Sequence, residues 1–419
     1  MLHTSDWHIG KPVTGGHSRH ADYQAVVAEI TEIAQANEPD LIVHTGDLFD
    51  RAQPASADLA LGVKALVELA GVAPTVMVGG NHDSPAMLRS FDLLVNALTA
   101  ADGPSSRLRF IPVARLAAQG GILDFATTGG QRIRLAALPF VHRNRAVEGF
   151  ERPEAASVIY ADYLRGIQAE LGRGLRDGYV PERDVLVFAA HLYVESALLS
   201  WTERELDVTQ DYACHVDALP DVAYCALGHI HKPQAIRRPG VTARYAGSPL
   251  QLDFGEENET KSVVLVDANP GRPTRTQIIP LRSGRRLMTF TGDLEHLATQ
   301  ADQIGNAFVK AIIDVEGPSP GLATAVQAII PHATLVDLQE RHPGWEEVPV
   351  LGAHSEIEPE PELTDVFREY LTSEGGIAPQ RLDHVQQAFT DLLSAAEYDE
   401  LATDPVAQLL QAALQPQQH

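Results

Sequence analysis

Thr75-Val76-Met77-Val78-Gly79-Gly80-Asn81-His82-Asp83-Ser84 runs from a short apolar stretch of strand character, through two glycines, into side chains that ligate hard metals or move protons. Four further segments repeat this plan. Asp6-Trp7-His8 follows Met1–Thr4, and Gly46-Asp47-Leu48-Phe49-Asp50 follows Leu41-Ile42-Val43. His191 ends Val185-Leu186-Val187-Phe188, and Gly228-His229-Ile230-His231 ends the run from Val222 to Leu227. Helical spacing from Tyr23 to Ala36 and from Ser56 to Ala70 alternates with these strands, so the first half of the chain reads as α/β. Open α/β sheets place their sites at the carboxyl ends of strands. The five segments therefore predict one polynuclear metal centre at one sheet edge.

Asp6, His8, Asp47, Asn81, His191, His229 and His231 offer carboxylate, amide and imidazole donors without a thiolate. Such a mixed oxygen and nitrogen set suits manganese, iron or zinc better than calcium or a soft metal. Seven donors exceed the needs of one ion. Two ions about 3.5–4 Å apart that share a bridging carboxylate would use them all, and such pairs clamp the oxygens of a phosphoryl displacement. Asp47 is the natural bridge. Taken alone, His191 would be a hydrogen-bonded structural residue and Gly-Asn-His-Asp an ordinary turn; their company favours the metal reading. His3, His17, His20, His44, His142 and His215 lack such company and read as structural or solvated.

In this order, the five motifs resemble the calcineurin-like metallophosphoesterase superfamily. Within it, Thr4 to Gly10, Gly46 to Asp50, Gly79 to Ser84, and Tyr245-Ala246-Gly247-Ser248-Pro249-Leu250 with Phe254-Gly255-Glu256 resemble the SbcD nuclease subunits of bacterial SbcC–SbcD complexes. The likeness covers about the first 280 residues well and the rest loosely. It implies an α/β (α+β) four-layer fold, two packed mixed β-sheets flanked by helices, with a small α/β capping domain and C-terminal helices. It also implies two divalent ions, manganese by preference. Asp6, His8, Asp47 and His231 would hold one ion; Asp47, Asn81, His191 and His229 would hold the other. His82 would face the scissile phosphate as the catalytic imidazole, with Asp83 orienting it and Asp50 in a supporting place.

The net charge of −24 argues against DNA binding only if it is spread evenly. Residues 301–419 hold 20 acidic and 4 basic residues, whereas residues 101–300 hold 24 and 23, so the acidity gathers in the last third. In the balanced middle, Arg143 and Arg145 follow a strand and Lys232 follows His231; these are the candidate DNA contacts. The two cysteines, Cys214 and Cys225, have no metal-site spacing and suggest no oxidising compartment. No apolar stretch approaches a membrane span and the first motif follows Met1–Thr4 directly, so a cytoplasmic protein with a short first strand is expected.

The expected organisation is a nuclease domain over 1–282, a capping domain over 283–352, an acidic Pro-rich linker over 353–362 and a helical tail over 363–419. Strands Val241–Ala246, Ser262–Val266 and Thr276–Pro280 succeed one another without helices and predict a second, more antiparallel sheet. Beyond Ser283–Arg286, apolar periodicity predicts a β-α-β-α-β unit ending at Thr334–Leu338. The tail presents apolar faces through Phe367 and Phe389, which the resemblance assigns to docking on an SbcC-like ATPase. A homodimer is expected as well. The leading function is a metal-dependent nuclease, a double-strand exonuclease and a single-strand or hairpin endonuclease, acting at DNA ends in repair, replication and recombination. A small-molecule phosphodiesterase or phosphatase and a silent scaffold are the alternatives; the signature from Tyr245 to Glu256 counts against the first, the complete ligand set against the second.

Overall fold

Short apolar runs that alternate faces build two sheets back to back. The structure, a computed structural model, describes residues 1–100, 107–142, 156–199 and 213–343. In the first sheet β1 (Leu2–Thr4), β2 (Ile42–His44), β3 (Thr75–Val78) and β4 (Leu108–Ile111) run parallel, and β13 (Ser262–Asp267) and β14 (Arg275–Pro280) close the β1 side antiparallel. The second sheet holds β6 (Arg132–Leu138), β7 (Asp184–His191), β10 (Tyr224–Gly228) and β12 (Val241–Tyr245) in parallel, with β5 (Ile122–Ala126) and β11 (Gln234–Arg238) antiparallel at its edges. A two-residue pair, β8 (Tyr193–Val194) with β9 (Ala213–Cys214), stands apart.

The expected grouping of the strands after residue 240 is corrected here. β12 stays in the second sheet beside β10, whereas β13 and β14 cross back to the first. The reason is the edge that β1 would otherwise expose: Leu265 and Val264 pair with Leu2 and His3 and extend a three-residue strand into a six-stranded sheet.

Alternation then makes four layers. Val43, Val76 and Val78 of one sheet meet Ile133, Leu135, Val187 and Ala226 of the other. Ile42 and Met77 point the opposite way, against Tyr23, Val26, Ile30 and Ala34 of α1 (His20–Asn37) and Leu66 and Leu69 of α2 (Ser56–Val72). Leu88 of α3 (Pro85–Ala100) joins that layer. The far face of the second sheet is covered by Tyr160, Leu164, Leu171 and Leu175 of α4 (Ala156–Arg176). Each aliphatic side chain fully buried in this way contributes about 1.5–3 kcal/mol against the exposed state. α1 stops where Glu38 turns left-handed (φ 42°), returns its N–H to Ala34, and meets Pro39.

A third sheet follows Ser283–Arg286. β15 (Leu287–Gly292), β16 (Phe308–Asp314) and β17 (Thr334–Arg341) are parallel, joined by α5 (Leu294–Ile304) and α6 (Leu322–Ile329). Asp293 caps α5 by accepting from the N–H of His296 at 2.7 Å. This unit buries its own core of Phe290, Leu297, Val309, Ile313 and Val326. The junction is held by carboxylates of α1: Glu29 accepts from the N–H groups of Arg282 and Ser283, and Asp22 from the backbone and guanidinium of Arg285. The Arg285 guanidinium sits 3.9 Å from the Phe308 ring centroid. Met1–Pro343 form one compact unit. The linker and tail expected over 353–362 and 363–419 lie outside the described residues.

Candidate metal centre

Five strand ends supply the centre: β1 leads to Asp6 and His8, β2 to Asp47 and Asp50, β3 to Asn81 to Asp83, β7 to His191, and β10 to His229 and His231. The loops after β1 and β2 run side by side, with the N–H groups of Asp6 and His8 bonded to the carbonyls of Gly46 and Asp47 at 2.9 and 3.0 Å. Across the sheets the N–H of His229 reaches Asp6 Oδ1 at 3.0 Å. Among the described residues, five other than glycine have positive φ, and four of them are Asp6 (51°), His8 (47°), Asp47 (53°) and His229 (101°). Each such conformation costs about 1–3 kcal/mol and persists only where the surroundings fix it. Gly46 shows how tightly they do: φ is +104°, and a Cβ there would fall 2.1 Å from His191 Nδ1.

The candidate donor atoms gather in two neighbouring groups. Asp6, His8 and His231 bring ligand atoms within 4.8 Å of one another, and so do Asp47, His191 and His229. His8 Nε2 is 3.1 Å from His231 Nε2, and Asn81 Oδ1 is 2.8 Å from His191 Nε2 and 3.0 Å from His229 Nδ1. Asp47 Oδ2 lies between the two groups, 3.5 Å from His8 Nε2 and 3.4 Å from His191 Nε2. Neighbouring ligands of an ion with bonds of about 2.1 Å stand ~3.0 Å apart in octahedral geometry. The set fits divalent ions on two further counts. Imidazole nitrogens facing each other at 3.1 Å repel unless a proton or cation lies between them. Asp6 Oδ2 is buried and accepts no hydrogen bond from the described residues, a costly state for a carboxylate without a cation.

Electrostatics and outer contacts act unequally on the donors. Burial holds His8 and His229 well below the imidazole range, so both rings are neutral, the ligating form. Burial pushes Asp6 upward, while Asp47 stays well below the carboxylate range because His191 and His82 outweigh its burial. Burial also lowers His191, but Asp47 reverses this and brings it to about 9. His191 Nδ1 donates to the Thr45 carbonyl at 2.8 Å, which turns Nε2 toward Asn81 and Asp47. Phe140, to which the sequence reading gave no role, lays its ring beside His191 and His229, with centroids 6.0 and 5.7 Å away.

His82 is half-buried at the rim. Its N–H donates to Asp47 Oδ1 at 2.9 Å, and its Nδ1 meets the Asp50 carbonyl at 2.8 Å. Asp83, expected to orient His82, has three backbone partners of its own. The Asp83 carboxylate is buried and accepts from the N–H groups of Leu48 (3.0 Å), Phe49 (3.3 Å) and Gly80 (2.9 Å), so it fastens the Asp47 loop to the Asn81 loop. Its direction follows from those three inward-facing amides, which offer a carboxylate more than one imidazole does. Asp50, with Lys11 and Arg51 each 3.7 Å from its carboxylate, lies 3.9 Å from His8 Nδ1. Lys232 is half-buried next to His231, while Arg143 and Arg145 lie outside the described residues. His3 and His44 are buried structural residues: His3 bridges Tyr224 and Thr45, and His44 stands edge-on to Trp7.

Residues 1–233 match the family model of the calcineurin-like phosphoesterases. The SbcD subunit of the SbcCD nuclease of Bacillus subtilis is 31% identical over 298 residues, 69% of this chain and 71% of that protein. The corresponding SbcD subunit of Escherichia coli K12 is 28% identical over 312 residues, 72% of this chain and 73% of that protein. Among solved structures, a dimetal phosphatase from Danio rerio aligns with a TM-score of 0.37 at 11% identity, covering 66% of this chain and 97% of that one.

Proposed function

Because the chain belongs to the calcineurin-like phosphoesterase family, and within it to the SbcD subunits of SbcCD nucleases, we propose that it hydrolyses phosphodiester bonds at DNA ends as the nuclease subunit of an SbcC–SbcD complex. It acts as a double-strand exonuclease and as an endonuclease on single strands and hairpins. The observation that carries the chemistry is Asp47 Oδ2, held between His8 and His191 at 3.5 and 3.4 Å so that one carboxylate can serve two ions. Asp6, His8, Asp47 and His231 would hold one ion and Asp47, Asn81, His191 and His229 the other, with manganese the native metal. When bound, the pair supplies Lewis acidity at the scissile phosphate and lowers the pKa of the attacking water. His82, whose Nδ1–H donates to the Asp50 carbonyl, would give a proton carried on Nε2 to the leaving 3′ oxygen and keep the one on Nδ1. Phe140 keeps one wall of the site apolar, and Lys11, Arg51 and Lys232 meet the DNA backbone.

No helix of the described residues is long and apolar enough to cross a membrane, and a cytoplasmic location fits the role. A homodimer is part of this reading, and Val67 on α2 and Leu93 and Leu94 on α3, 54%, 65% and 58% exposed, are apolar side chains it could cover. The acidic tail, outside the described residues, docks the ATPase. Removing residues from Glu356 onward should abolish pull-down of the ATPase and leave hydrolysis of a small phosphodiester unchanged; a truncated chain that still binds would refute the docking. The function itself is tested by incubating the purified chain and manganese with labelled duplex and hairpin DNA beside a chromogenic phosphodiester. Cleavage of DNA is expected, and hydrolysis of the chromogenic ester with all DNA left intact would overturn the reading.

A further inference from the structure

We infer that Glu256 is a positioning residue for the ligand His231, acting through the ring nitrogen that faces away from His8. The inference rests on the two-ion reading above. Glu256 lies in the turn Phe254–Glu256, and its carboxylate is fully buried. Oε1 faces His231 Nδ1 across 3.4 Å, while the opposite nitrogen of that ring, Nε2, points toward His8 at 3.1 Å. Oε2 accepts from the N–H of Leu252 at 2.9 Å and pairs with Lys261 Nζ at 2.7 Å. Lys261 in turn donates to the His231 carbonyl at 3.1 Å, so ring and backbone of one ligand are held by one ion pair.

Neutralising Lys261 does not account for Glu256. Glu259 Oε2 already pairs with the same ammonium at 2.8 Å, and of these three side chains one negative charge is in surplus. That surplus faces His231. A carboxylate on the distal nitrogen of a ligating imidazole fixes the tautomer and raises ligand basicity. His191 receives only a neutral partner in the same place, the Thr45 carbonyl. The two ion sites thus differ in their outer support, and the Asp6, His8 and His231 site is the one that depends on Glu256.

The test is manganese titration by calorimetry of the full-length metal-free chain, comparing wild type, Glu256→Gln, His231→Ala and the double variant. Glu256→Gln keeps the size and hydrogen-bonding reach of the side chain and removes its charge. It should weaken one of the two binding steps about 10–100-fold and leave the other as in wild type. In the His231→Ala background the same change should cost less than about twofold, because coupled residues are not additive. Equal losses in both backgrounds, or both steps weakened together, would show a merely structural role and overturn the inference. Unaltered affinity in Glu256→Gln would overturn it as well. A wild-type chain that binds two ions yet cleaves no DNA would refute the proposed function alone and leave the role of Glu256 standing.

Discussion

Adding one methyl group at Gly80 should disable the centre without replacing a ligand. A Cβ built there falls 2.1 Å from Asp47 Oδ1 and 2.4 Å from Asp47 N, where real contacts do not come under 3.0 Å. The carboxylate oxygen can turn away, but the amide cannot, so the Asp47 backbone must move by about 0.6 Å and its side chain by about 1 Å to restore van der Waals separation. Gly80 cannot retreat, because its N–H is bonded to Asp83 at 2.9 Å and the same carboxylate holds Leu48 and Phe49. Misplacing a reacting constellation by about 1 Å costs on the order of 10²-fold, or ~2.7 kcal/mol in the barrier. Gly80→Ala should therefore lower kcat/KM on duplex DNA by about that factor and weaken both steps of a manganese titration. Gly166→Ala is the control: nothing lies within 4 Å of a Cβ there, in the interior of α4, and helix propensity should make it neutral or stabilising by up to ~1 kcal/mol. Turnover of Gly80→Ala within twofold of wild type, with both ions bound normally, would refute the argument.

Asp47→Asn should weaken both metal-binding steps, each by more than the 10–100-fold typical of a supporting residue, whereas Asp6→Asn should weaken one; titration that shows a single affected step for Asp47 would exclude the bridge. His82→Ala should bind two ions and DNA as wild type does while turnover falls about 10²–10⁴-fold, and metal analysis showing a lost ion would make His82 a ligand. Far from the site, the fully covered Asp184 carboxylate is held below the carboxylate range by hydrogen bonds from Arg132 first, then Arg183 and the Val180 N–H. Its folded pKa is depressed, so its stabilisation is present above the unfolded value of about 3.9 and lost as pH falls through the folded one. Asp184→Asn should then be less stable by ~1.5–3 kcal/mol in urea unfolding from pH 5 to 8, with the gap closing below about pH 4; a gap that widens in acid would contradict this.

The amino-acid sequence by itself determined what the centre is made of. A ligand placed just after an apolar run is legible because strand character and turn chemistry are local. Five such runs in order give the seven candidate donors and the lack of thiolate, and make Asp47 the candidate bridge. The β-α-β-α-β unit after Arg286 was legible for the same reason, since each element carries its own period. Only the tertiary structure decided which strands share a sheet. β13 returns to β1 across more than two hundred residues, and no local pattern encodes a partner at that distance. It also decided where outer side chains point. Asp83 adjoins His82 in sequence yet serves the amides of Leu48, Phe49 and Gly80, because buried N–H groups brought in by two other strand ends compete for its charge. Glu256 lies 25 residues from His231, and Phe140 lies 51 from His191. Their roles arise when sheet packing closes those gaps, and the left-handed backbone at Asp6, His8, Asp47 and His229 is held in place by the same packing.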